Sequence, residues 1–366
     1  MYQATTSTIP KLGPESYCDS QYHDQDVTRL RSSAWHLIGT TGQLASTGDY
    51  IACHVLGVPI VVRRFDEQLV AFRNVCAHRH CQLIDEGMGN TAELKCRYHG
   101  WQYGSDGQTR RIPGAKNFPN FDRQRHRLEG FDVDTVGQLV FVRFAQCDQT
   151  LSEWLGEFEK PLQVATDAKD WKLNLFNRLT YEANWKIPVE ASLESYHLDE
   201  VHAKTFGSDP GEEATLHQFN AKGTTFQTES RGKSLVERLE EASIRWLTGS
   251  FDPRYQHIHL FPNLMASLTE TITLVYQIEP LSAQRCQMTV IGLGRSPSRP
   301  GRLKHLWAWG MRRMSARIAM KIFMEDATIF PLVQNGKRGA VDHGIFGRCE
   351  ERLDAFHKYW AAPNGQ

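Results

Sequence analysis

The sequence predicts an α+β protein. An antiparallel β domain comes first, followed by a larger domain in which an antiparallel sheet is flanked by helices. Three observations predict it. Short apolar runs punctuated by turn residues fill the stretch from about Ala34 to Ala145, longer strand-like segments follow, and one long helical segment, Arg302 to Gln334, comes only after them. Strands gathered ahead of a long helix, rather than alternating with helices, are the mark of α+β architecture.

Val58 to Phe65, Leu69 to Val75 and Gln138 to Phe144 read as strands of the first domain, with a turn at Gly104-Ser105-Asp106-Gly107. Helical spacing begins at Trp154 and runs to Thr166, so a boundary falls near Ala145 to Leu151. The first domain is placed at 34–147, and 1–33 with 148–366 form the second. Leu173 to Glu182, His257 to Leu268, Thr271 to Pro280 and Cys286 to Leu293 are the strands expected there.

Lys plus Arg and Asp plus Glu both number 42. With no net charge there is no global field to draw nucleic acid or an anionic membrane. Met1 to Leu30 holds no apolar core of signal length, and no run of 18 apolar residues occurs, so a cytoplasmic protein is expected. Of the eight cysteines, only Cys76, Cys81 and Cys96 lie close together in sequence; Cys18, Cys53, Cys147, Cys286 and Cys349 read as small buried hydrophobes.

The most specific motif is Cys76-Ala77-His78 followed, after residues 79–95, by Cys96-Arg97-Tyr98-His99. A [2Fe–2S] cluster can take two thiolates on one iron and two neutral imidazoles on the other. Cys76 and Cys96 would then hold one iron, and His78 and His99 the other. Zinc competes for any such set, but zinc fingers pair cysteine with cysteine and histidine with histidine, whereas each stride here is mixed. His80 is a minor alternative ligand.

The second constellation runs from Asn184-Trp185-Lys186 to Glu194-Ser195-Tyr196-His197 and His202. On a regular helix Glu194 and His197 share a face, while His202 sits roughly 140° away, so the helix must end or kink between the histidines. Two histidines with one carboxylate form the facial triad of non-haem Fe(II) oxygenases. Asp326 is the best third ligand. Its neighbour Glu325 points about 100° away, so only one of the pair can serve.

These motifs resemble the Rieske non-haem iron oxygenases of the ring-hydroxylating type. Asn74-Val75-Cys76-Ala77-His78-Arg79 and Cys96-Arg97-Tyr98-His99-Gly100-Trp101 look like that family's cluster loops. Asn184 to Lys186, Glu194 to His202, and Glu325-Asp326 followed by Val333-Gln334 look like its iron-binding segments, and Phe261-Pro262-Asn263 like a strand entry of its catalytic domain. The resemblance implies a helix-grip catalytic domain, one [2Fe–2S] cluster and one mononuclear Fe(II) per chain. It also implies a homotrimer in which Glu194 joins His99 of one chain to His197 or His202 of the next. Respiratory Rieske proteins carry a disulfide between the two loops; Cys81 fits one half, but Tyr98 stands at the other. Three departures stand out: His80 where a small residue is usual, Ala191 where asparagine is frequent, and Pro331 five residues after Asp326.

The implied reaction uses dioxygen and two electrons to hydroxylate, or oxidatively dealkylate, a small organic substrate, and Glu194 resembles members acting on choline- or carnitine-like compounds. No dinucleotide fingerprint is evident, so an NAD(P)H-dependent reductase or ferredoxin is expected as a separate partner. Phe206, Asn263, Met265 and Tyr276 are candidates to face substrate. The rival reading is a Rieske electron carrier with a non-catalytic ligand-binding domain, and a structural zinc protein is the third.

Overall fold

The computed structural model describes residues 2–205, 208–229 and 235–362. Helix α1 (Ser20–Ser33) leads into a sheet that opens with β1 (His36–Thr40), β2 (Asp49–Val55), β3 (Val58–Phe65), β4 (Gln68–Arg73) and β5 (Gly87–Asn90). A separate three-stranded ribbon follows: β6 (Leu94–Lys95), β7 (Gln102–Tyr103) and β8 (Thr109–Arg111). With β9 (Gly130–Val136) and β10 (Leu139–Arg143) the first sheet takes the order β1-β10-β9-β4-β3-β2-β5, antiparallel throughout. The β2–β3 turn is Leu56-Gly57, with φ of 47° and 77°, a two-residue geometry whose twist matches the flanking strands.

The helical stretch after residue 150 is two short helices, α2 (Leu151–Leu155) and α3 (Glu159–Ala165), because Gly156 breaks it at φ 53°. Thr150 and Glu153 cap α2 reciprocally: the Glu153 amide donates to Thr150 Oγ1 at 3.2 Å, and the Thr150 amide to Glu153 Oε2 at 2.8 Å. Beyond lie β11 (Trp171–Tyr181), α4 (Lys186–Ala191), the single turn α5 (Leu198–Val201), β12 (Leu216–Asn220), β13 (Gly223–Glu229) and α6 (Leu235–Thr248). Then come β14 (Arg254–Leu260), β15 (Leu264–Leu268), β16 (Ile272–Ser282), β17 (Arg285–Arg295), α7 (Arg302–Gly339) and α8 (Glu351–Ala361). The second sheet runs β11-β17-β16-β15-β14-β13-β12.

One expectation needs correction. His257 to Leu268 is not one strand but the β14–β15 hairpin, and Phe261-Pro262-Asn263 is the corner that leads into β15. Proline has no amide to donate there, and Asn263 Nδ2 instead donates across to the Ile278 carbonyl at 2.8 Å. Pro331, noted above as a departure, lies inside α7, which continues through it to Gly339. The turns on either side are held by side chains: Phe330 packs edge-on against Tyr181, and Gln334 is buried and doubly bonded.

The two sheets share one core. Ile38, Ile51 and Val62 of the first belong to the same apolar cluster as Trp185, Ile278 and Val290. Polar contacts set the register: the Leu37 amide donates to Gln277 Oε1 (2.6 Å), Gln277 Nε2 donates to the Trp35 carbonyl (2.8 Å), and His36 meets Glu279 (2.7 Å). Among the described residues, no helix is long and apolar enough to cross a membrane.

Asp26 of α1 fastens the helices behind the site. It is buried and accepts from Trp185 Nε1 (2.8 Å), Trp360 Nε1 (2.9 Å) and the Lys186 ammonium. Removing it would strand a buried cation and two indole donors. Asp26→Ala is therefore expected to cost about 3–5 kcal/mol in urea unfolding; a loss under ~1 kcal/mol would show that the ion pair is not what anchors α1.

Candidate functional site

Two loops of the first domain turn in the same way. The Cys76 amide donates to the Cys81 carbonyl (2.8 Å) and the His80 amide to the Cys76 carbonyl (3.0 Å). The second loop repeats this with the Cys96 amide on Trp101 (2.8 Å) and the Gly100 amide on Cys96 (2.9 Å). Gly100 adopts φ 72° and His80, at the matching position, φ 58°. The unusual histidine thus takes up the left-handed conformation that a glycine would fill, and the loop keeps its shape. Its side chain is exposed.

The loops bring sulfur to sulfur and imidazole to imidazole. Cys76 and Cys96 are each 1% exposed and their thiols lie within hydrogen-bonding reach, while the His78 and His99 rings meet at 4.6 Å and are only half-buried. His78 stacks on Trp101 at 4.6 Å, and its Nδ1 is a buried nitrogen with no hydrogen-bond partner. A paired-sulfur side, a paired-imidazole side and an orphaned nitrogen fit a two-iron cluster. A single zinc ion would instead gather all four ligands around one point.

Backbone amides and one phenol serve the sulfurs. Burial raises the Cys96 thiol, but the Tyr98 and His99 amides and the neighbouring thiols outweigh it and hold it below the ordinary value. Tyr103 Oη accepts from the Ala77 amide (3.0 Å) and can donate to Cys76 Sγ (3.0 Å). Sequence reasoning did not single out Tyr103; its position on β7, facing the first loop, exists only once the ribbon folds. Cys81 lies beside Cys96 as a free thiol and carries no disulfide. Cys53, Cys147 and Cys286 are buried as expected, while Cys18 and Cys349 are only partly so.

In the second domain, α4 ends at Ala191, before Glu194, and α5 is a single turn with His197 and His202 at its two ends. The break expected between the histidines therefore comes earlier. With so short a helix between them, both rings turn to one side. Asp326, from the middle of α7, meets them there: its Oδ1 lies 2.9 Å from His202 Nε2 and 4.0 Å from His197 Nε2. Among the described residues, these three are the one group of three or more metal-donor side chains whose ligand atoms lie within 4.8 Å of one another.

Both imidazoles are supported from behind. Glu194 bonds His197 Nδ1, and Glu325 Oε2 lies 2.9 Å from His202 Nδ1. A carboxylate on each Nδ1 keeps the proton there and leaves each Nε2 lone pair facing Asp326. Burial alone would lower His197, but Glu194 and Asp326 outweigh it and hold it above the ordinary value. Asp326 is itself raised, chiefly by burial. Hydrogen bonds from Thr205 and His202 hold Glu325 below the usual carboxylate range. Sequence reasoning treated Glu325 as the non-ligand of the pair; the structure places it at the back of His202.

Behind the donors opens a cavity of about 1140 Å³, lined in part by Tyr181, Phe226, Tyr276, Phe323 and Arg352. Of the residues expected to face substrate, Tyr276 lines this cavity. Asn263 and Met265 are buried in the core away from it, and Phe206 lies outside the described residues. Ala191 lines the cavity edge.

Comparison with known proteins gives two family matches. Residues 162–363 match the family described as ring hydroxylating alpha subunit (catalytic domain), and residues 34–122 match the Rieske [2Fe-2S] domain. The chain is 28% identical over 187 residues to the glycine betaine monooxygenase oxygenase subunit of Pseudomonas aeruginosa, 51% of this chain and 43% of that one. The match thus spans less than half of that relative's length. Over 345 residues it is 26% identical to the anthranilate 1,2-dioxygenase large subunit of Burkholderia cepacia, 86% of this chain and 81% of the relative. Its fold is that of a solved quaternary ammonium Rieske monooxygenase, with a TM-score of 0.78 at 21% identity over 98% of this chain and 96% of the other.

Two substitutions probe these sites. His80→Gly is expected to leave the visible absorbance of the cluster unchanged, whereas bleaching would make His80 a ligand. Glu325→Gln, which weakens the support of His202, is expected to loosen mononuclear iron about 10–100-fold in chelator competition; unchanged retention would remove Glu325 from the site.

Proposed function

The chain belongs to the ring-hydroxylating oxygenase alpha-subunit family, matched over more than half its length, and we infer from that premise that it is the oxygenase component of a dioxygen-dependent enzyme. Members of this family carry a Rieske [2Fe–2S] cluster and a mononuclear iron. We assign the cluster to Cys76, His78, Cys96 and His99, and the mononuclear iron to His197, His202 and Asp326. The observation that carries this reading is the convergence of those last three side chains at the head of a cavity, with a carboxylate behind each imidazole. A pure electron carrier has no use for such a triad, which disfavours the rival reading.

When bound, the two iron groups supply electrons and a place where dioxygen can be reduced next to substrate. The chain's own residues do the rest. Glu194 and Glu325 fix the tautomer and ring plane of His197 and His202, so both Nε2 atoms are presented without rearrangement. Asp326 contributes one negative charge and leaves coordination positions open. Tyr276 and the apolar walls at Phe226 and Phe323 hold the body of the substrate and keep bulk water from it.

The product is a hydroxylated substrate, or one that has lost an alkyl group as an aldehyde. Electrons come from a separate NAD(P)H-dependent reductase or ferredoxin. We further propose that the protein is cytoplasmic and assembles as a homotrimer in which His99 of one chain approaches Glu194 of the next. The outer face of α7 supports association, since Leu303, Leu306, Trp307 and Trp309 stand more than half exposed on one chain. The division into 34–147 and 1–33 with 148–366 is kept as the domain assignment.

Iron analysis of the purified protein is expected to give three atoms per chain. His197→Ala is expected to keep the cluster's visible spectrum, to lose one iron, and to drop substrate-dependent oxygen uptake to background. Full oxygen uptake in that variant would sink the assignment.

A further inference from the structure

Arg352 opens α8 and is 1% exposed, yet it lines the same cavity as His197, His202 and Asp326. A guanidinium does not give up its proton in a protein, so a cation is held at the buried end of that cavity. Its side-chain contacts are neutral: Nε donates to Thr224 Oγ1 at 3.0 Å and Nη2 to His257 Nδ1 at 2.9 Å. Because the guanidinium only donates, Nδ1 is the acceptor, and His257 carries its proton on Nε2, which donates to Tyr276 Oη at 2.9 Å. His257 cannot neutralise the charge; burial, and then Arg352 itself, hold it well below the ordinary histidine range.

Among the described residues, no carboxylate lies within ion-pair distance of Arg352, although one is adjacent in sequence. Glu351 is committed elsewhere: Oε1 meets His217 Nδ1 at 2.7 Å, and Oε2 accepts from the Gln3 and Ala4 amides at 2.8 and 2.6 Å. Two other buried cations show what the fold ordinarily does. Lys186 sits on Asp26, and Arg63, which does not line this cavity, spends its Nη2 on the Thr91 and Ala92 carbonyls. Arg352 has neither a counter-ion nor a carbonyl cradle among its hydrogen bonds, and a buried charge left in that condition is costly unless something arrives to pair with it. Carboxylates such as Glu229, Glu240 and Glu241 also border the cavity, but they stand at least partly exposed, where water screens them.

We propose that Arg352, with Thr224, His257 and Tyr276 around it, forms an anion-recognition subsite that seats a carboxylate or sulfonate of the substrate inside the catalytic cavity. The proposal rests on the oxygenase reading and adds a substrate class to it: small organic acids. Arg352 is then a specificity residue. The anion docks on the guanidinium donors left over from Thr224 and His257, and the remainder of the molecule lies along the apolar wall toward the iron ligands.

The test is calorimetric titration of the iron-loaded protein with two matched pairs, anthranilate against aniline and glycine betaine against choline, in the wild type, Arg352→Gln and Arg352→Lys. At least one acid should bind the wild type with a clear preference over its partner that lacks the carboxylate. Arg352→Gln should weaken that acid about 30-fold or more, and Arg352→Lys should recover part of the loss. The cluster spectrum reports that each variant has folded, and the wild-type pairs alone decide the matter if Arg352→Gln does not fold. In turnover the change should fall on KM, with kcat largely kept. Partners without the carboxylate that bind as tightly as the acids, no binding of either acid, or acid affinity indifferent to the charge at 352 would each overturn the subsite. Acid binding that follows Arg352 without any substrate-dependent oxygen uptake would instead sink the oxygenase reading and leave the subsite standing.

Discussion

The metal-donor triad depends on one buried side-chain amide. Gln334, 1% exposed, accepts the Asn184 amide on Oε1 at 2.7 Å and donates Nε2 to the Tyr17 carbonyl at 3.1 Å. These bonds lock the long helix α7 against the chain that runs into α4 and α5. Asp326 comes from the first of these segments, and His197 and His202 from the second. A slip of α7 by one residue would rotate its side chains by about 100° and point Asp326 away from both imidazoles. The register is therefore set at a distance from the donors, by groups that do no chemistry.

The same economy recurs nearer the cavity. Glu194 and Glu325 each hold one ring nitrogen so that the other faces inward, and His257 holds its proton toward Tyr276 because Arg352 occupies its Nδ1. In each case a group with a single hydrogen-bonding option decides the state of a neighbour that has two. Such chains pre-set geometry before ligand arrives, so less ordering is left to the bound state. They also explain why polar residues so deep in the second domain are tolerated: their donors and acceptors are largely spoken for.

How much of this was legible in the amino-acid sequence follows from sequence separation. The two cysteine–histidine strides and the Glu194–His202 segment are compact motifs, and the structure brings together the side chains they contain. Long strands such as β16 and β17 showed in their apolar runs, and α7 in its length. What depends on distant partners was hidden. Tyr103 meets Cys76 only through the fold of the ribbon, and Glu325 could not be given a partner until α7 was laid across α5. Nothing local marks Arg352, since its partners Thr224 and His257 come from the distant strands β13 and β14. The β14–β15 corner was missed because Phe261-Pro262-Asn263 was read as part of one strand, whereas the turn depends on Asn263 reaching Ile278. Pro331 is carried inside α7 with Phe330 and Gln334 packed on either side of it.

The uneven burial of the cluster loops has a consequence for traffic through the molecule. The cysteine pair is sealed under the first sheet, while the His78 and His99 edges reach the surface beside Tyr98. With the cluster held as proposed, the sealed side would act as insulation and the imidazole side as a terminal, because tunnelling decays steeply with distance. Donor and acceptor would then share that edge, taking turns there or approaching it from two flanks. On that assignment the wiring is polar.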